Sequence, residues 1–337
     1  MSLTTDHYLP SLRPVPPDLG RKLHHNHMEQ LGIADTMRLA YACNQVENCA
    51  QDEWRRQLYQ DQLQELMTAN GQFTVPAIHL NDGWAIDDSM SLPHLDRILA
   101  SSEKIIAERS GQRKSEPGTY RSYFQDVWKP GSDPLDYPEF LDFATSSDIL
   151  APICHYVGCI PALSTTLPSG IRFVESNAAF DDQPDRPHDS QLYHIDYYSL
   201  PNVYVLVLLR DTTREHGPWT FLPRSISQHV KEQLGYWKHA RGYRLSDEEV
   251  FSVANPADAI EFTGKRGTVL FIESSGCLHF GSRNSIQPRF QLMLGYTGAC
   301  RTDFSETFMP PKVYPVQEHD SLLRKLVLQK SLLPGPV

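Results

Sequence analysis

The chain has 337 residues, 40% of them apolar and 21% charged, with a formal net charge of −10. This is the composition of a globular protein with a substantial core, and it excludes disordered and fibrous classes. An acidic balance without a long Lys/Arg run argues against nucleic acid or an anionic membrane surface as partner and leaves room for a local basic pocket for a small acid.

Six cysteines, none in a CxxC pair, are too sparse for a disulfide scaffold and read as buried thiols in a reducing compartment. The opening MSLTTDHYLPSLRPVPPDLG lacks the basic start and apolar stretch of a signal peptide. No window approaches the ~20 apolar residues of a membrane helix, so a cytoplasmic location is expected.

Pro10, Pro14, Pro16 and Pro17 forbid helix near the N-terminus and predict an extended arm over residues 1–30. From Ala34, apolar residues at three-to-four spacing (Leu39, Cys43, Val46, Ala50, then Trp54, Leu58, Leu66) predict one broken helix or two, ending at Asn70-Gly71. Phe73 to Leu80 alternates weakly and predicts a short strand. Pro93, at a first helical position, opens a helix whose buried face is Leu95, Ile98, Leu99, Ile105 and Ile106 and whose stop is Gly111. Pro138 to Tyr156 is also predicted helical.

From Gly170 the pattern turns to short β-runs: Ile171 to Ser176, Val203 to Leu209, Thr220 to Leu222, Gly267 to Ile272 and Phe290 to Tyr296. Helices first and strands later mean α+β. Without regular intervening helices a parallel doubly wound sheet is disfavoured, and an antiparallel barrel or jelly roll is expected, with the N-terminal helices packed against it.

Within this region His194-Ile195-Asp196 precedes an apolar run, and in an extended segment residues i and i+2 point to the same side. His279 follows another β-run and can join them only if the strands fold back together. Two imidazoles and a carboxylate are the ligand set of non-haem Fe(II) oxygenases. An HxD triplet alone is common by chance, so Arg289 matters: ten residues beyond His279, its planar fork could grip the far carboxylate of a dicarboxylate that chelates the metal.

The segments HIDYYSLPNVYVLVLLRDTTREHGPWTFLPRSIS and GTVLFIESSGCLHFGSRNSIQPRFQLMLGY resemble the phytanoyl-CoA dioxygenase family of Fe(II)/2-oxoglutarate oxygenases. The resemblance covers roughly residues 170 to 300. It matches His194, Asp196, Gly217, Pro218, Pro223, Ser225, His279 and Arg289 in order and spacing, and more loosely Asn177 and Tyr204 at places where members contact 2-oxoglutarate. It implies a double-stranded β-helix core (jelly-roll, cupin-like), Fe(II) held by His194, Asp196 and His279, and 2-oxoglutarate and O₂ as co-substrates. Arg224 and Ile226 depart from the family's Gly and His, and Gly281 stands where a serine is frequent, with Ser282 as its substitute.

The organisation this implies is a single catalytic domain over 1–337: the arm at 1–30, a mainly helical part at 31–160, the jelly-roll core at 161–305 and a C-terminal tail at 306–337. The expected reaction is hydroxylation of a small molecule with release of succinate and CO₂. A zinc-dependent hydrolase or isomerase on the same barrel, or a non-catalytic small-molecule-binding jelly roll, are the alternatives. The cluster His24, His25 and His27, the loop residue His188 and the pair Cys154 and Cys159 are read as surface or packing residues. Tyr123, Phe124 and Trp128 could line a substrate pocket or the core equally well.

Overall fold

The structure is a computed structural model that describes residues 28–68, 78–109, 121–127, 137–166, 170–238, 243–308 and 312–330. The expected arm therefore lies mostly outside the described residues, as do Trp128 and the His24, His25 and His27 cluster. Helix α1 (Met28–Thr68) is interrupted at Gly32, whose φ of 75° no helix accommodates. Helix α2 (Leu95–Arg109) buries the expected face, but it starts two residues late. His94 adopts φ 64°, which leaves Pro93 outside the helix. The run from Pro138 divides into α3 (Pro138–Ala144) and α4 (Ser147–Val157).

Ten short strands follow the chain: β1 (Trp84–Asp87), β2 (Phe124–Asp126), β3 (Ala162–Leu163), β4 (Ile171–Ser176), β5 (Val203–Leu208), β6 (Trp219–Phe221), β7 (Ile260–Phe262), β8 (Val269–Glu273), β9 (His279–Phe280) and β10 (Arg289–Thr297). Their pairings are all antiparallel. Seven form one sheet, ordered β1-β8-β5-β10-β4-β2 with β3 on β10, and three form a second, ordered β7-β6-β9. The fold is thus α+β with antiparallel sheets, and no doubly wound parallel sheet is present among the described residues.

Side-chain alternation on the large sheet explains why its strands read as continuous apolar runs. Val203, Val205 and Val207 of β5, Phe271 of β8 and Leu292 of β10 face one way, into a core shared with α2, α3 and α4. Tyr204, Leu206, Leu208, Leu270, Ile272 and Met293 face the other way, against Trp219, Phe221 and Phe262 of the small sheet. A sheet covered on both faces needs apolar residues at every position.

The strand expected at Phe73 to Leu80 lies mostly outside the described residues, and 78–80 are irregular; a strand that was not expected, Trp84–Asp87, lies at the sheet edge on β8. The part expected to be mainly helical also supplies β2, at the opposite edge on β4. Helices α5 (Arg224–Gln233) and α6 (Asp247–Phe251) lie between β6 and β7, and the expected C-terminal tail contains α7 (Ser305–Phe308) and α8 (Leu322–Leu328), the last with Leu323, Leu326, Val327 and Leu328 buried. The fully buried Arg55 of α1 ties these ends together, donating to the carbonyl oxygens of Leu326 (2.7 Å) and Ile160 (3.2 Å). No helix among the described residues is long and apolar enough to cross a membrane.

The two-faced sheet sets a stability contrast. Phe271→Ala, at the centre of the buried sheet, should cost about 3–5 kcal/mol in urea unfolding. Ile286→Ala, at a side chain 77% exposed, should stay within about 0.5 kcal/mol of the parent.

Candidate metal centre and adjoining cavity

Two strands of widely separated sequence bring the expected ligands together. His194 and His279 form an antiparallel bridge, each backbone N–H donating to the other's carbonyl at 3.0 and 2.9 Å. Directly opposed residues of such a pair project from the same face, and the two imidazole centroids are 4.5 Å apart. Asp196 lies two residues on, and its N–H donates to the carbonyl of Ser274 at 3.0 Å. The intervening Ile195 points instead into a separate apolar cluster with Tyr193 and Leu245. As a result His194, Asp196 and His279 are all buried and offer ligand atoms within 4.8 Å of one another, with His279 Nε2 3.4 Å from Asp196 Oδ2.

The ring orientations suit a metal. His194 Nδ1 faces the Leu192 carbonyl at 2.8 Å and His279 Nδ1 faces the Cys277 carbonyl at 2.9 Å. A carbonyl only accepts, so each Nδ1 carries the proton and each Nε2 presents its lone pair. Burial, reinforced by the neighbouring His279, pushes His194 down to about 3, which keeps the ring neutral. Burial alone would raise the Asp196 carboxyl, but the two histidines and the Ser274 hydroxyl outweigh it and hold the group below its usual range. The Trp219 ring stacks on His279 at 4.2 Å and fixes its plane.

The turn carrying His279 is braced by a buried ionic network. Glu273, fully buried, accepts from the Tyr156 hydroxyl and from Ser275 Oγ at 3.2 Å, and pairs with Arg224 Nε at 3.3 Å. Lys231, pushed down to about 8 by burial, donates to the Gly276 carbonyl at 3.0 Å. Arg224, on helix α5 (Arg224–Gln233), thereby gains a role at a position where the sequence departs from the family pattern.

A small cavity of about 50 Å³, partly open to solvent, adjoins the triad. Arg289 and Tyr204 line it, as does Phe124. Arg289 is 1% exposed, and its Nη2 makes a long 3.4 Å contact with Ser282 Oγ. Its Nε and Nη1 have no hydrogen-bond partner among the described residues. Burial pushes this guanidinium down to about 10. Ser176, opposite Arg289 in the β4–β10 register, and Gln291, two residues along β10, also hold buried polar side-chain atoms without a hydrogen-bond partner among the described residues. An orphaned cationic fork beside two unsatisfied polar groups is a cradle for an anion.

Glycines shape the same space. A Cβ at Gly281 would lie 2.9 Å from Trp219 Cδ1, so a larger residue there would press on the indole ring, and Ser282 makes the contact with Arg289. Gly295 faces Tyr204 across the ladder and gives its ring room.

Asn177 is not among the residues that line the cavity. Its amide nitrogen donates to Glu175 Oε1 at 2.8 Å and its oxygen accepts from the Ala179 N–H at 3.0 Å, so it caps a short 3₁₀ turn. These bonds hold the side chain at the end of β4. His188 sits between Asp181 (3.0 Å) and Asp189 (3.1 Å) as a loop anchor. Tyr123 is core, with its hydroxyl 2.9 Å from Ser190 Oγ. Cys154 and Cys159 are fully buried thiols pushed up by burial, which removes them as nucleophiles. Sequence reasoning missed Ser176, Gln291, Trp219, Arg121 and Arg172. Only the i+2 relation of Gln291 to Arg289 was open to it.

No family model and no curated protein matches the sequence. Solved structures do. The nonheme alpha-ketoglutarate-dependent carbocyclase SnoK from nogalamycin biosynthesis is 14% identical over 74% of this chain and 96% of its own, with a TM-score of 0.43. EctD from S. alaskensis, solved with 2-oxoglutarate and 5-hydroxyectoine, is 13% identical over 64% of this chain and 72% of its own, TM-score 0.39. HygX from Streptomyces hygroscopicus, with nickel, 2-oxoglutarate and hygromycin B bound, is 13% identical over 64% and 82%, TM-score 0.36. At these scores the likeness carries no functional argument, and the residues must supply it.

The depressed His194 makes a pH prediction for the metal-free protein. Between about pH 6.5 and about 3 the unfolded chain takes up a proton that the folded ring refuses, so stability falls as pH drops through that window. His194→Gln should lose less stability than the parent between about pH 7 and about pH 5 in urea titrations. Parallel losses would contradict the buried neutral ring.

Proposed function

We propose that the chain is a non-haem Fe(II)/2-oxoglutarate-dependent dioxygenase that oxidises, most simply by hydroxylation, a small-molecule substrate. The observation that carries this reading is the conjunction in one cavity of a buried His194/Asp196/His279 ligand set and a fully buried Arg289 with unpartnered donors. The donor set fits a divalent metal of intermediate softness, with two neutral imidazoles and one carboxylate. Iron bound there would couple the oxidative decarboxylation of 2-oxoglutarate by O₂, giving succinate and CO₂, to oxidation of the substrate.

The chain's own residues bind and orient. His194 and His279 present Nε2 because Leu192 and Cys277 hold their Nδ1 protons. Arg289 takes the distal carboxylate of 2-oxoglutarate in its fork, helped by Ser176 and Gln291, and Tyr204 forms the wall beside it. The apolar layer between the two sheets excludes water from this end of the cavity. A zinc hydrolase with the same ligands would leave Arg289 without a task.

The same proposal makes the two facing sheets a double-stranded β-helix within one catalytic domain. It places the protein in the cytoplasm, where the five described cysteines remain free thiols.

With Fe(II), ascorbate and O₂, the protein should release succinate slowly from 2-oxoglutarate without substrate, and His279→Ala or Asp196→Ala should abolish that release. Arg289→Ala should raise the KM for 2-oxoglutarate at least tenfold while metal binding persists. Succinate release by the ligand variants equal to that of the parent would sink the assignment, and zinc rather than iron in anaerobically purified protein would favour the hydrolase.

A further inference from the structure

The loop that leads into His194 carries a histidine that the oxygenase reading does not use. His188 Nε2 faces Asp181 Oδ1 at 3.0 Å, and its Nδ1 faces Asp189 Oδ2 at 3.1 Å. A carboxylate only accepts, so both ring nitrogens must carry protons, and only the imidazolium has two. Burial by itself would lower this group, but the two carboxylates outweigh it and hold the imidazolium above its ordinary range. Arg244 Nη1 lies 3.4 Å from Asp189 Oδ1, and the Tyr123 ring meets the imidazole edge to face with centroids 5.2 Å apart. Among the described residues, these two carboxylates, Arg244 and Tyr123 are the charged and titratable groups that face His188.

From His188 a run of hydrogen bonds reaches the arginine end of the cavity. Asp181 Oδ2 accepts from Gln191 Nε2 at 3.1 Å, and the same nitrogen donates to the Ser282 carbonyl at 3.0 Å. Gln191 Oε1 accepts from the His188 N–H at 3.0 Å, so this buried amide is committed at both ends. Ser282 Oγ in turn meets Arg289 Nη2. Backbone groups join the same two segments: the Gly281 N–H donates to the Ser190 carbonyl at 3.1 Å, and Arg283 Nε donates to the Gln191 carbonyl. Asp189 (φ 49°) and Ser282 (φ 67°), near the two ends of the run, are left-handed without being glycine. Such backbone persists only where its surroundings over-determine it, and it concentrates at binding sites.

We propose that His188 and Gln191 are positioning residues for the co-substrate: the His188 cation fixes Asp181, Asp181 orients the Gln191 amide, and Gln191 holds Ser282 against Arg289. This deepens the oxygenase reading and rests on it. Loss of a proton from His188 turns one of its two contacts into a lone pair facing a carboxylate, so the clamp loosens and the Arg289 fork loses its alignment. The clamp is complete below the ordinary imidazole range and is lost as pH rises through the higher titration of the folded loop. 2-Oxoglutarate therefore binds more weakly on the alkaline side, although its own carboxylates stay ionised throughout.

The test is binding, which needs no turnover. Protein saturated with Mn(II) under nitrogen is titrated calorimetrically with 2-oxoglutarate, at fixed ionic strength, from about pH 6 to about pH 8.5. The dissociation constant of the parent should rise about fivefold or more across that range. His188→Gln, which cannot carry the charge, should bind at about pH 6 as weakly as the parent does at about pH 8.5, with little dependence on pH. Gln191→Ala should weaken binding about fivefold or more at about pH 6. Mn(II) affinity should stay within about twofold of the parent in both variants. Thermal unfolding checks that each is folded, and Asp181→Asn, expected to be equally flat with pH, replaces His188→Gln if that variant is not. A parent affinity indifferent to pH, a parent-like slope in the His188 or Asp181 variant, or parent-like binding by Gln191→Ala would overturn the proposal. So would an equal loss of Mn(II) affinity, because the loop would then support the whole site rather than the arginine. Failure of the oxygenase reading would show differently, as no binding of 2-oxoglutarate to the Mn(II) protein at any pH.

Discussion

The backbone pairing of His194 with His279 is the constraint on which the site depends. Two hydrogen bonds close a loop of 85 residues (194 to 279). An antiparallel hydrogen-bonded pair dictates that directly opposed side chains share a face, so closing this bridge is the same event as aligning the two candidate ligand imidazoles. Asp196 joins them through strand periodicity alone. The small sheet extends the bridge, because β9 begins at His279 and pairs with β6. Trp219 at the head of β6 then stacks on the His279 ring.

Around this pair the molecule arranges its polar groups in two unlike ways. Behind the ligands, Glu273, Arg224, Lys231 and Tyr156 satisfy one another in a buried network, which makes the turn from Glu273 to His279 rigid. In front of them, Arg289, Gln291 and Ser176 are buried and incompletely partnered. A fold with enough carboxylates to neutralise Arg289 instead leaves it facing a cavity, at a desolvation cost that a bound anion would offset. Satisfied groups hold the site's shape, and unsatisfied ones state what it receives.

Much of this was legible in the sequence. The ligands His194, Asp196 and His279 and the arginine at 289 stand at spacings that a linear reading finds, and the continuous apolar runs of β5, β8 and β10 mark a sheet buried on both faces. Edge strands escaped notice because β1 and β2 have only four and three residues, too few for alternation to register. The start of α2 was misplaced because Pro93 suits a first helical turn, while the positive φ of His94 depends on what surrounds it. Asn177 looked like a ligand by position, and its capping hydrogen bonds are visible only in three dimensions.

The sequence by itself determined the α+β class, the candidate metal-ligating trio His194, Asp196 and His279 and the presence of an arginine ten residues beyond it. These follow from side-chain chemistry and from periodicities of two and 3.6, which are local properties. Only the tertiary structure decided that Arg289 is buried with donors unpartnered among the described residues, that Ser282 lies in contact with it, and that Arg172 and Arg121 line the same cavity. Those facts depend on strand register and on which groups lose water together, and neither is written in any contiguous stretch of residues.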